Sequence, residues 1–173
     1  MYLKTFTYVI KQIWPMLFIF AVVLTLIKIT DTIVNKKKLN LFRELINLFF
    51  LMYILIIFHV VTFYDVDWST YNLVFFKEIL RYEIGSELFF RNIIGNIVMF
   101  IPYGMYMTYY FDLKRPFLVI ILAIVLSTAI EITQYFIGRV FDVDDILLNV
   151  VGAFLGFLIY RIGCRLYKRR KHG

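Results

Sequence analysis

The 173-residue chain is 62% hydrophobic and 20% aromatic, carries a formal net charge of +7 at pH 7 and has a mean hydropathy of +0.80. Soluble domains are about 45 to 50% apolar, so a water-soluble protein is excluded and the fold class is all-α, a polytopic membrane helix bundle solvated by lipid. The positive charge sorts by connecting loop, which explains it without nucleic acid.

A hydrocarbon core of roughly 30 Å takes about 20 helical residues, and the sequence predicts about five transmembrane helices. The first, 12–29 (QIWPMLFIFAVVLTLIKI), follows Lys4 and Lys11 as a signal peptide would. Its apolar run is long and no small-residue cleavage site follows, so it reads as a retained anchor. The second is 45–64, with His59 near its outer end as a histidine satisfied by a neighbour, and Asp65 and Asp67 beyond it as solvated turn residues. In the loop 65–92, NLVFFKEILRYE sets Leu73, Phe76, Ile79 and Leu80 on one side and Lys77, Glu78 and Arg81 on others. That pattern predicts a short extracellular helix lying in the interface.

The third span is 93–111, where Pro102 followed by Gly104 predicts a kink; the fourth is 117–137 and the fifth 146–162. Glycines 95, 152 and 156 suggest close helix contacts, GAFLG being a small-xxx-small pair. Residues 1–44 thus read as an anchor with a basic loop, 45–162 as a four-helix membrane region and 163–173 as a basic tail. Cys164 is the lone cysteine, which excludes an intramolecular disulfide.

Thirteen basic residues flank the first connection, the third connection and the tail, against six on the opposite side. The positive-inside rule then puts the N-terminus outside and the C-terminus in the cytoplasm. Glu131 falls about 21 Å along the fourth helix at 1.5 Å per residue, roughly 9 Å below the outer edge of the core. An ionisable group there costs about 2.5 to 3.5 kcal/mol unless partnered. Partners of similar depth are Arg91, Asn92 and Asn96 on the third helix and Asp145 and Asn149 on the fifth, each amide or acid pair four residues apart and so on one face. Gln134 shares a face with Glu131, and Arg139 and Asp142 follow in the loop. These residues predict one polar layer in the outer leaflet.

The order of N-L at residue 72, then GNIVMFIPYG, then EITQYFIGRVFDVDDILLNVVGAFLG, resembles the VanZ-like family of small bacterial membrane proteins over roughly residues 45 to 160. The resemblance implies a location in the bacterial cell membrane. It also implies a link to low-level resistance to teicoplanin, a glycopeptide with a lipid tail. Carried over position by position, the family's recurrent polar residues are Asn72, Asn92, Asn96, Glu131, Gln134, Arg139, Asp142, Asp145 and Asn149. Phe75 stands where the family often has proline.

Three roles fit this layer. It could bind a lipid-linked cell-wall precursor or a lipoglycopeptide, with amides as donors and acceptors and Arg139 gripping a phosphate or carboxylate. It could be an intramembrane enzyme on a lipid head group, with Glu131, Asp142 and Asp145 as catalytic candidates, Glu131 as acid or base and the two aspartates around a hard cation. Against catalysis, there is no recognisable nucleophile pair, HExxH or phosphate-cradling glycine loop; no resident metal or cofactor is assigned. Or the polar groups could hydrogen-bond one another and lock the bundle, the acids paired with Arg91 and Arg139.

Overall fold

Asn40 caps the first helix whose bounds the structure describes. Its Oδ1 accepts the N–H of Arg43 at 3.2 Å and its carbonyl that of Glu44 at 3.1 Å, the capping arrangement in which a short amide satisfies an orphan donor of the first turn. Helix α1 (Leu41–Thr62) follows, with Glu44 in its first turn, where a carboxylate meets the positive end of the helix dipole. The structure, a computed structural model, describes residues 40–57 and 71–171, the backbone of 58–62 and 172, and six helical positions at 19, 22, 23, 25, 26 and 30. The expected first span as a whole, Lys4, Lys11, Lys36 to Lys38, the surroundings of His59, and Asp65 and Asp67 lie outside the described residues.

The chain divides into two units, Met1–Val60 and Val61–Gly173. In the first, α1 carries Phe50 and Tyr53 with ring centres 5.7 Å apart. The second is framed by α2 (Glu87–Tyr110), α3 (Phe117–Phe136) and α4 (Val143–His172). These are the three helices among the described residues that are long and apolar enough to cross a membrane.

Helix α2 starts where Ser86 Oγ accepts the N–H of Phe89 at 3.1 Å, and it includes one π-helical turn, Phe90–Ile94. Pro102 lies within α2, which runs on to Tyr110. The packing of α2 on α4 is set by glycine. A Cβ at Gly104 would overlap the carbonyl of Ala153, one at Gly152 that of Ile97, and one at Gly156 that of Ile101. The GAFLG pair therefore does what its spacing predicts, letting two backbones touch. Its partner on α2 is Gly104; a Cβ at Gly95 would meet only Phe90 O, at 3.6 Å. Helix α3 joins through Tyr103, whose hydroxyl donates to Leu122 O at 3.0 Å. Phe100, Val119, Ala123 and Ala153 are fully buried between the helices.

The segment YFIGR is a helix stop. Gly138 has φ 88°, its N–H donates to Tyr135 O at 3.2 Å, and that of Arg139 donates to Gln134 O at 2.9 Å, the paired bonds of a Schellman cap. A Cβ at Gly138 would meet nothing within 4 Å, so the left-handed backbone, not space, favours glycine there. Three residues on, β2 (Phe141–Asp142) pairs in parallel with β1 (Tyr71–Asn72), Tyr71 opposite Phe141 and Asn72 opposite Asp142. This small ladder ties the long loop to the turn between α3 and α4.

Helix α4 begins at Val143 and runs to His172, so the basic residues from Arg161 to Lys171 are helical and continuous with the last apolar run. In the loop, turns and a 3-10 helix over Ile79–Arg81 replace the amphipathic α-helix expected there. Phe76 has φ 66°, a left-handed value no α-helix accommodates, and the carboxylate of Asp144 takes the loop's amides instead.

Candidate functional site

Glu131 is buried near the end of α3. Its Oε2 accepts the N–H of Asp142 at 2.8 Å. With the Gln134 amide turned so that its nitrogen faces the carboxylate, that nitrogen donates to Glu131 Oε1 at 2.9 Å and the Gln134 oxygen accepts from Arg139 at 3.2 Å. The three residues form a relay from a buried carboxylate to a half-buried cation, and Arg139 is also the positive charge whose field reaches Asp145.

Asp142 caps α4. Its Oδ1 accepts the N–H of Asp144 at 2.9 Å and the amide of Asn72 at 3.0 Å, while Asn72 Oδ1 accepts the N–H of Val74 at 3.2 Å as an Asx turn does. Burial pushes the Asp142 carboxyl above its ordinary pKa, with these two hydrogen bonds working in the opposite sense.

Asp144, 1% exposed, holds the loop. Its Oδ1 accepts the N–H of Phe76 at 2.6 Å and its Oδ2 those of Glu78 at 2.9 Å and Ile79 at 3.3 Å. Asp145, the next residue, turns to α2 and accepts from Asn96 at 2.6 Å. One turn deeper, Asn149 donates to Ser127 of α3 at 2.8 Å, and Asn149 Oδ1 is buried with no hydrogen-bond partner among the described residues.

Between the loop and the starts of α2 and α4 lies a cleft of about 60 Å³, lined by Glu78, Ile79, Tyr82, Asn92, Ile93, Asp142, Asp144, Asp145 and Leu148. A water needs roughly 10 to 15 Å³ on this measure, so the cleft has room for a small polar group. Among the described residues no basic side chain lines it. Tyr82 donates to Glu78 at 3.4 Å, and burial, then the Glu78 charge, hold its phenol above the ordinary value. Among the described residues no three His, Cys, Asp or Glu side chains are grouped to hold a metal ion.

Asn72, Asn92, Asn96, Glu131, Gln134, Arg139, Asp142, Asp145 and Asn149 thus meet at one end of the bundle, through the bonds above or along the cleft. Arg91 does not join them: it is exposed on the π-turn, and no ion pair among the described residues links it to the acids. Sequence reasoning missed Asp144, Ser127, Glu78 and Tyr82. The signal for Asp144 was DVDD, three carboxylates within four residues ahead of an apolar helix, one more than capping and the bond to α2 require.

A family model described as VanZ/LLP1 matches residues 14–164. The chain belongs to the VanZ/LLP1 family. The VanZ/LLP1 match takes in the first apolar run as well as the region from residue 45 onward, and with three apolar helices it fits a membrane protein. A curated relative, Protein VanZ of Enterococcus faecium, is 32% identical over 84 residues, 47% of this chain and 52% of that protein. The chain therefore spans about half the length of that relative. No solved structure matches the chain.

Proposed function

We propose that this VanZ/LLP1 chain is a multi-pass protein of the bacterial cell membrane with five spans, its N-terminus outside and its C-terminus cytoplasmic. On this reading its outer polar group binds the head group of a lipid-linked cell-wall precursor or a lipoglycopeptide, and so lowers susceptibility to teicoplanin-type antibiotics. The observation that carries the reading is a division of labour among the acids. Glu131 and Asp144 give both oxygens to the protein's own donors, whereas Asp145, engaged by Asn96 through Oδ1, lines the cleft beside Asn92. Carboxylates and an amide facing a cleft that no basic side chain lines among the described residues favour a ligand part rich in donors, an ammonium, amide or hydroxyl, over a phosphate. Arg139, engaged with Gln134, has a supporting role in place of the anion grip its sequence position suggests.

The test is the labelling of living Gram-positive cells by fluorescent teicoplanin, with membrane abundance measured alongside. Cells carrying the wild type bind less label than cells without it, and Asp145→Asn or Asn92→Ala at equal abundance restores the label. Undiminished protection by both variants removes the cleft from the function; no protection by a well-expressed wild type removes the antibiotic.

A further inference from the structure

Six large apolar side chains, Leu73, Val74, Phe75, Phe76, Leu80 and Ile84, are between 52% and 86% exposed at one end of the second unit. Monomeric soluble surfaces rarely gather so many neighbouring apolar groups. The height of this loop in the bundle is fixed at both ends. Asp144, the second residue of α4, holds the amides of Phe76, Glu78 and Ile79, and the chain passes from Ser86 directly into α2 at Glu87. Both helices start at this end and both are long and apolar enough to span a bilayer. Where α2 and α4 cross a bilayer, the loop falls at the level at which hydrocarbon gives way to head groups, beside the lipid-facing surface of the spans. Lys77 and Arg81 are set among these side chains and are exposed, Arg81 paired with Glu78 at 3.1 Å. Long basic side chains at such a level keep their stems in apolar surroundings and their charges among phosphates.

We propose that residues 73–84 are an interfacial loop that sinks its apolar side chains into the lipid leaflet at which α2 and α4 begin. The partner is the bilayer itself, at the boundary between acyl chains and head groups. Because Glu78, Ile79 and Tyr82 belong both to this loop and to the cleft lining, the cleft then opens at the lipid surface, and a ligand with a lipid tail reaches it sideways. That last consequence rests on the ligand-binding reading above; the insertion does not.

The experiment places single nitroxides on the full chain through Phe75→Cys, Leu80→Cys, Ile84→Cys or Lys77→Cys, each with Cys164→Ser, in phosphatidylcholine and phosphatidylglycerol vesicles. Collisions with oxygen, which concentrates in lipid, are compared with collisions with a water-soluble nickel chelate. Oxygen dominates at 75, 80 and 84 and nickel at 77 if the loop is inserted. Nickel dominating at all four positions overturns the proposal. So does dipolar broadening at 75 and 80 that disappears on dilution with unlabelled chain, since the surface would then belong to a second copy. The binding of teicoplanin enters neither readout.

Discussion

Asp144 Oδ1 accepts the N–H of Phe76 at 2.6 Å across 68 residues of sequence, and Phe76 is the residue whose φ is 66°. A bulky side chain in the left-handed region costs on the order of 1 to 3 kcal/mol and persists only where its surroundings enforce it. The enforcing group is a carboxylate buried at the start of α4 that accepts three amides of the loop, those of Phe76, Glu78 and Ile79. The loop and the helix bundle are thus one structure, and the cleft between them depends on that bond.

Asp144→Asn replaces one acceptor oxygen with a donor facing other donors. It should cost about 2 to 3 kcal/mol, the range for losing hydrogen bonds to a charged group, read as thermal unfolding in detergent. Amide exchange at Phe76, Glu78 and Ile79 should quicken while that of α2 and α4 changes little. Adding Phe76→Gly should recover about 1 kcal/mol, because glycine adopts this φ without penalty. No recovery would mean that Asp144 holds no strain.

The three glycines at the contact of α2 and α4 separate close packing from helix propensity. Gly152→Ala and Gly104→Ala drive a methyl group into a backbone carbonyl that has nowhere to go, and each should cost at least about 3 kcal/mol, the upper range for overpacking. Gly95→Ala meets only ordinary contact and should gain roughly 0.5 to 1 kcal/mol from helix propensity. Membrane abundance of tagged variants, with melting in detergent, decides between these signs.

What the sequence made legible follows from how far each signal reaches along the chain. The apolar runs that became α2 and α3 were readable because spanning a bilayer needs about 20 residues in a row, and their ends shifted by six residues or fewer. The polar layer was readable from depth, since Glu131 could not lie inside a span unpartnered. The loop was not: its pattern of Leu73, Phe76, Ile79 and Leu80 obeys helical spacing, and only a carboxylate 68 residues away redirects its amides. Nor could spacing reveal the weak claim of Arg91, because the π-turn at Phe90–Ile94 alters the register of the side chains around it.

Asp142 lies outside the spans, and burial raises its carboxyl above the ordinary value of 3.8. The folded state therefore keeps its proton at a pH where the unfolded chain has lost it. The resulting stability is present below the unfolded value and is lost as pH rises through the folded one. Melting followed from neutral pH down toward 4 should show the wild type gaining on Asp142→Asn, in which asparagine retains the capping oxygen. A difference that stays constant with pH would assign the dependence to other groups.

Glu131 and Gln134 make the sharpest test of the buried relay. In Glu131→Gln one oxygen still accepts the N–H of Asp142, but the new amide nitrogen points at the Gln134 amide that had donated to Glu131. Gln134 can turn to accept it, and then presents its own nitrogen to Arg139. Either way two donors face each other, for a loss of about 1 to 3 kcal/mol. Gln134→Glu alone sets two carboxylates side by side, which Arg139 offsets only in part. The exchanged pair, Glu131→Gln with Gln134→Glu, restores every donor to an acceptor and brings the negative charge nearer Arg139. A double-mutant cycle on melting in detergent should give a favourable coupling of about 1 to 3 kcal/mol. Additive losses would show that Glu131 is held by Asp142 alone, with Gln134 and Arg139 outside the relay.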